Sequence, residues 1–168
     1  MKTLTFTFFF LLCLIGTQRT LAFTIRITPG QSIQEVVDRA SAGDTLIISE
    51  GTYKQFGIII RKPLILIGED YPVIDADFRG NILIVATSNL TVRGLKLINT
   101  GRSNMDDSAA IKFFDSKDCI IRDNILENTY FGLHFSNSSQ MTIINNKITA
   151  SAIREFEVGN GIHLWKCK

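Results

Sequence analysis

The sequence predicts an all-β protein: a right-handed parallel β-helix, a pectate-lyase-like solenoid, with a short capping helix at its N-terminal end. Three observations carry that expectation. Short β-branched runs follow one another between Gly, Asn, Asp and Ser; the same residue types return at a fixed offset; and a segment of helical period precedes the first of these runs. Runs bounded by turn formers read as strands, and self-similarity at a period above about 20 residues marks a solenoid.

The first 22 residues are set apart from the fold. Lys2 opens a short charged region, an apolar run extends from Leu4 to Ile15, and the small residues around Thr20–Ala22 form a cleavage site, so a secretory signal peptide removed after Ala22 is expected. The run is shorter than the roughly 20 residues that span a bilayer. Cys13 lies mid-run behind the bulky Leu12, which argues against a lipid anchor. Of the 18 lysines and arginines, Lys2 and Arg19 leave with the signal, so 16 cations face 16 acids in the mature chain. A neutral chain gives no reason to expect nucleic acid as partner.

Residues 23–168 form the expected β-helix domain. Within it, Gln31–Ala40 is the expected cap. Ser32 and Glu35 have capping-box spacing, and Ile33, Val36, Val37 and Ala40 fall on one face. Laid over the first coil, such a helix hides the apolar cross-section and the open strand edges. The turn at Ala42–Asp44 then launches a first strand at Thr45–Ile48, followed by Gly57–Ile60, Leu64–Ile67 and Asn81–Val85.

The repeat is clearest further on. Residues 110–126 and 132–148 match at an offset of 22: Ile111 with Leu133, Phe113 with Phe135, Cys119 with Met141, Ile121 with Ile143, Asn124 with Asn146 and Leu126 with Ile148. Leu83–Leu97 fits with one residue fewer, and Gly161–Leu164 opens a further copy beyond an inserted loop, 151–160. Coils stacked about 4.8 Å apart fill their own narrow core. Asn124 and Asn146 share a turn slot where Asn tolerates the left-handed conformation and stacked copies bond to one another. The chain stops at Lys168 before the turn that the repeat predicts, and no second cap is visible, so a truncated chain is expected.

The candidate site residues are His134 and His163. They occupy one repeat slot, one coil apart, with Lys112 in that slot one coil earlier. Flanked by inward residues, the imidazoles are expected to point outward, stacked about 5 Å apart. That separation suits a shared copper or zinc ion, with a third ligand from elsewhere. Alternatively they are two surface histidines on a sheet face. Cys119 and Met141 share their slot with Leu90 and belong in the core; Met105 sits in a loop; Cys167 matches Ser116 and Ser138, an outward turn slot. Two coils separate Cys119 from Cys167, on the order of 10 Å, too far for a disulfide.

A sugar-acid lyase needs clustered Asp for a cation and a nearby base. Asp75 and Asp77 share a face and Asp106 and Asp107 adjoin, but Asp115 and Asp118 give way to Asn137 and Gln140 in the next repeat, so these read as solvated turn residues. Trp165, Tyr130 and Phe131 lie near loop edges, placed either to stack on a ligand or partner or to close the side of a coil.

The stretch Gly159-Asn160-Gly161-Ile162-His163-Leu164-Trp165-Lys166-Cys167, together with Gly132–Phe135 and Ser41–Tyr53, resembles the NosD family, periplasmic proteins for nitrous oxide reductase maturation. The resemblance covers essentially the whole mature chain. It implies an exported accessory protein, not an enzyme, with no catalytic site. It also implies an ABC-type ATPase and its membrane subunit, a copper chaperone and nitrous oxide reductase as partners, and copper as a transient ligand. Relatives continue for many more coils. The competing reading is a carbohydrate-binding or carbohydrate-active β-helix of the lyase or epimerase kind.

Overall fold

The computed structural model describes residues 21–102, 107–150 and 159–168. Most of the expected signal peptide, Met105, Asp106 and most of the 151–160 loop lie outside these residues. The chain opens with β1 (Thr24–Ile27) and the helix α1 (Ile33–Arg39), then winds through five coils. They comprise β2 (Thr45–Ile48), β3 (Thr52–Tyr53) and β4 (Ile58–Ile60); β5 (Ile65–Gly68), β6 (Val73–Asp75) and β7 (Leu83–Val85); and β8 (Thr91–Arg93), β9 (Lys96–Ile98) and β10 (Ala109–Phe114). The last two are β11 (Ile120–Arg122), β12 (Ile125–Glu127) and β13 (Phe131–Ser136), then β14 (Thr142–Ile144), β15 (Lys147–Thr149) and β16 (Ile162–Trp165).

Each strand pairs in parallel with its counterpart one coil away. The first sheet runs β1-β2-β5-β8-β11-β14, the second β3-β6-β9-β12-β15 and the third β4-β7-β10-β13-β16. This is the expected parallel β-helix, and its register is that of the repeat: Ile111 pairs with Leu133, Ile121 with Ile143, Leu126 with Ile148 and Leu133 with Ile162. Alternate side chains turn inward because successive Cβ atoms face opposite sides of a strand. Each sheet therefore sends one apolar column into the core, such as Leu46, Leu66, Val92 and Ile121, all inaccessible to solvent. Phe113 and Phe135 stack inside at 4.9 Å, with their rings 15° from parallel.

The cap forms as the sequence implies. Ser32 Oγ accepts from the Glu35 N–H at 3.2 Å, a side-chain cap for an otherwise orphaned helical donor. Ile33, Val36 and Val37 are buried. The polar side of α1 also satisfies the edge strand: Gln34 accepts from the Ile59 N–H and donates to the Ile59 carbonyl, occupying groups that an exposed edge offers to other chains. Lys62 closes the far end of the helix by donating to the Asp38 and Ala40 carbonyls.

The asparagine ladder is present with one correction. Asn124 Nδ2 donates to Asn146 Oδ1 at 2.9 Å and to the Val92 carbonyl at 3.1 Å, while its Oδ1 accepts from the Leu95 N–H. The left-handed residues are not these asparagines but their predecessors, Asp123 and Asn145, with φ of 54° and 52°, and in the same slot one coil earlier Gly94, at 70°, before Leu95. The turn needs the left-handed residue to reverse the chain and the following Asn to face inward, where it replaces the backbone partners the turn has lost.

A second correction concerns Cys167. Its slot faces inward: Ser116 and Ser138 are buried there, each donating to a carbonyl two residues back, and Cys167 packs against the core. A small hydroxyl or thiol that bonds its own turn can enter the interior without leaving a polar atom unpaired. Cys119 and Cys167 are both free, and Cys119 is fully buried as expected of its slot.

Candidate functional site

The outer face of the third sheet carries one column of residues in register: Ile59, Ile84, Lys112, His134 and His163. Strand pairing places the two imidazoles on adjacent coils, with ring centroids 5.0 Å apart and planes tilted by 57°. The separation matches the expectation. The exposure does not, because His134 is only 5% accessible.

Phe131 supplies the cover. Its ring meets His134 edge-on at 5.5 Å and stacks on His163 at 4.6 Å. Phe131 starts β13 on the same strand as His134, and Tyr130 braces it edge-on at 4.8 Å. Room for the ring comes from Gly159, since a Cβ there would stand 2.4 Å from the Phe131 ring. The Gly159 N–H bonds the Tyr130 carbonyl at 2.9 Å, so the segment preceding the second histidine is pinned to the residue preceding Phe131. Sequence reasoning left Phe131 undecided between ligand stacking and coil closure; the structure gives it a third role, walling the imidazoles. The adjacency of a bulky aromatic and a remote glycine was the only signal, and the repeat does not carry it.

A cleft of about 470 Å³ opens beside the pair, lined by Asp107, Lys112, Phe114, His134, Ser136, His163 and Trp165. Trp165 is exposed at its rim. His134 lines it, and the Nδ1 of that ring is buried with no hydrogen-bond partner. Burial, then the positive charge of Lys112, then His163 hold the His134 pKa below its ordinary 6.5, with Asp107 pulling weakly the other way. His134 is therefore neutral at pH 7, which leaves one of its ring nitrogens unprotonated. Among the described residues no group of three or more His, Cys, Asp or Glu converges as a closed metal site.

The other sequence candidates stay apart from this cleft. Cys119 is core, its thiol pushed up in pKa by burial, and Met141 packs against the same core. Asp115, Asp118 and Asp123 hold left-handed turn positions with φ of 47°, 54° and 54°, as solvated turn residues should. Asp75 Oδ1 accepts from the Asp77 N–H of its own turn and from Asn99 Nδ2 on the next coil, so both bonds tie the acid to the solenoid frame. Among the described residues no helix is long and apolar enough to cross a membrane.

Comparison with known proteins follows the same lines. "Probable ABC transporter binding protein NosD" of Pseudomonas aeruginosa is 29% identical over 132 residues, covering 77% of this chain. The chain spans 31% of the length of that relative. No solved structure matches it. The family described as "Right handed beta helix region" matches residues 47–167, from β2 to the last turn, and with most of its length so matched the chain belongs to the right-handed β-helix family.

Proposed function

We propose that this chain is a periplasmic NosD-like accessory protein, exported by the signal in residues 1–22. In this reading it has no catalytic site and works with an ABC-type ATPase and its membrane subunit. It assists assembly of the copper centre of nitrous oxide reductase, receiving the metal from a copper chaperone. Copper is its cargo, held transiently by His134 and His163. The likeness to a protein named as an ABC transporter binding protein supports the partner class.

The observation that carries the copper part is the buried, unpartnered Nδ1 of His134, 5.0 Å in ring centroid from a second imidazole. A buried ring nitrogen without a partner costs free energy comparable to a lost hydrogen bond, and with the ring proton on Nε2 a soft monovalent ion shared with His163 relieves that cost. Imidazole nitrogen suits copper, and the depressed His134 pKa removes the proton that competes for the same lone pair. Lys112 opposes the ion electrostatically, which favours release over storage.

The test is a chimera in which residues 23–168 replace the matching segment of the longer Pseudomonas relative, read by the copper content of nitrous oxide reductase. Normal loading that falls when His134 and His163 are both changed to Ala is the expected result. An unloaded reductase with the unmutated chimera would remove the maturation role; full loading with the double variant would remove the copper site alone.

A further inference from the structure

The turn that launches the first coil buries a charged group that the proposed copper role does not use. Asp44 is 3% accessible, and both of its carboxylate oxygens accept from the backbone. Oδ1 takes the Phe23 N–H at 2.8 Å and Oδ2 takes the Ser41 N–H at 2.7 Å. The Phe23 bond, then the Ser41 bond, hold the Asp44 carboxyl below its ordinary 3.8, so the group is charged at pH 7. A buried carboxylate is stable when it is hydrogen-bonded and also has a counter-charge. Lys62 attracts it more weakly than either bond does, and the Lys62 ammonium already donates to the Asp38 and Ala40 carbonyls.

The donor on Oδ1 is the backbone nitrogen that becomes the chain end if the signal is cut after Ala22. In the uncut chain this nitrogen is a neutral amide. Once freed it is a primary amine, with an ordinary pKa of about 7.7–8.0, and so cationic at pH 7. Phe23 is fixed from its other side too. Its carbonyl accepts from the Thr45 N–H at 2.8 Å, and Thr24 next to it starts the pairing of β1 with β2. While β1 stays in the sheet, the nitrogen stays on the carboxylate. Phe23 is otherwise open to solvent, at 62% accessible, so an ammonium there meets little desolvation.

We infer that Asp44 is the binding site for the Phe23 α-ammonium that signal cleavage creates, an ion pair that locks the edge strand β1 onto the first coil in the exported chain. The inference rests on the export reading above, and within it on cleavage after Ala22. Water adds across the Ala22–Phe23 amide: Ala22 leaves as a carboxylate and the Phe23 nitrogen takes up the protons. Its bond to Asp44 then carries charge on both partners instead of one. Since β1 is the outer strand of the first sheet, the same step seals that edge, as α1 seals the edge of the third. The precursor, with its neutral amide, keeps a looser first strand.

Export of the full precursor into a bacterial periplasm, followed by N-terminal sequencing and an NMR titration of the α-amine, tests the inference. The expected product begins at Phe23, and its α-amine titrates above the ordinary range of about 7.7–8.0, because an adjacent carboxylate favours the charged form. Asp44→Asn should return the amine to that range. This variant also gives up an acceptor for Ser41, so a second one keeps the carboxylate and its hydrogen bonds. A glycine inserted between Ala22 and Phe23 restores the amide at Phe23 and moves the ammonium one residue away. The inserted chain should melt about 2–4 °C below the parent, and its α-amine should titrate in the ordinary range. An ordinary α-amine in a chain that begins at Phe23, or equal melting of parent and insertion, overturns the inference and leaves export standing. A product that begins at another residue removes the cleavage site and the inference together.

Discussion

The two kinds of corner in this β-helix behave differently. Between the first and second sheets the last three coils turn through pairs at the same slots: Gly94 and Leu95, Asp123 and Asn124, Asn145 and Asn146. Between the second and third sheets the connection varies from 128–130 to 150–161. The first corner is closed by hydrogen bonds from Asn124 and Asn146 to neighbouring coils. The second carries the Phe56–Arg79 and Phe78–Arg102 pairs and the aromatic wall over the histidines. Identical turns stack, and stacking is what a solenoid needs. A corner free to vary is where side chains can be aimed at something other than the next coil.

The largest expected effect lies at the constant corner. Asn124→Ala strands the Leu95 N–H inside the protein, and should cost about 1–3 kcal/mol in urea unfolding. A loss no greater than that of an exposed polar substitution would mean that the ladder is dispensable and the two corners are alike.

At the variable corner, Phe131→Ala should destabilise less than removal of a core aromatic, because the ring covers a sheet face rather than filling the interior. Its signature is electrostatic. Exposure lifts the desolvation that depresses His134, so the NMR titration midpoint of His134 should move up toward 6.5. Gly159→Ala should do the same to a smaller extent by pushing the ring aside.

The same group makes stability depend on pH. Since the folded His134 pKa lies below its unfolded 6.5, the unfolded chain binds the proton more readily. The contribution of His134 is therefore present above about 6.5 and is lost progressively as pH falls below it. Substituting Gln for His134 should flatten that part of the stability profile between pH 7.5 and 5.5; an unchanged slope would show that other groups set it.

The smallest effect sharpens the comparison. Asp118 takes a left-handed turn position with φ of 54°, and Asp118→Gly should be neutral or raise stability by about 0.5 kcal/mol in a thermal melt. A clear loss would assign that side chain a structural role.

What was legible in the sequence divides along the same line. The offset of 22 placed Ile111 on Leu133, and the same repeat lengthened by the inserted loop to 29 placed His134 on His163, because a side chain that repeats must repeat its surroundings. It misassigned the left-handed residue to Asn124 when Asp123 takes it, since both types tolerate the conformation and alternation alone does not say which of two turn residues faces inward. It put Cys167 outside for the same reason: Ser116 and Ser138 look like surface residues until their hydroxyls are seen to bond their own turn. The cover over His134 was out of reach, because Phe131 and Gly159 meet across an insertion that no period relates.

The helix that closes one end has a kinetic consequence. With α1 occupying the outer edge of β4 through Gln34, the chain has one ready surface on which each next coil can settle. Most coils add a loop of similar size, so the entropy lost per coil stays nearly constant instead of growing with distance along the chain. Folding then advances as a zipper from the sealed end, each coil templating its successor. Its speed is governed by the time to close one coil rather than by the length of the whole solenoid.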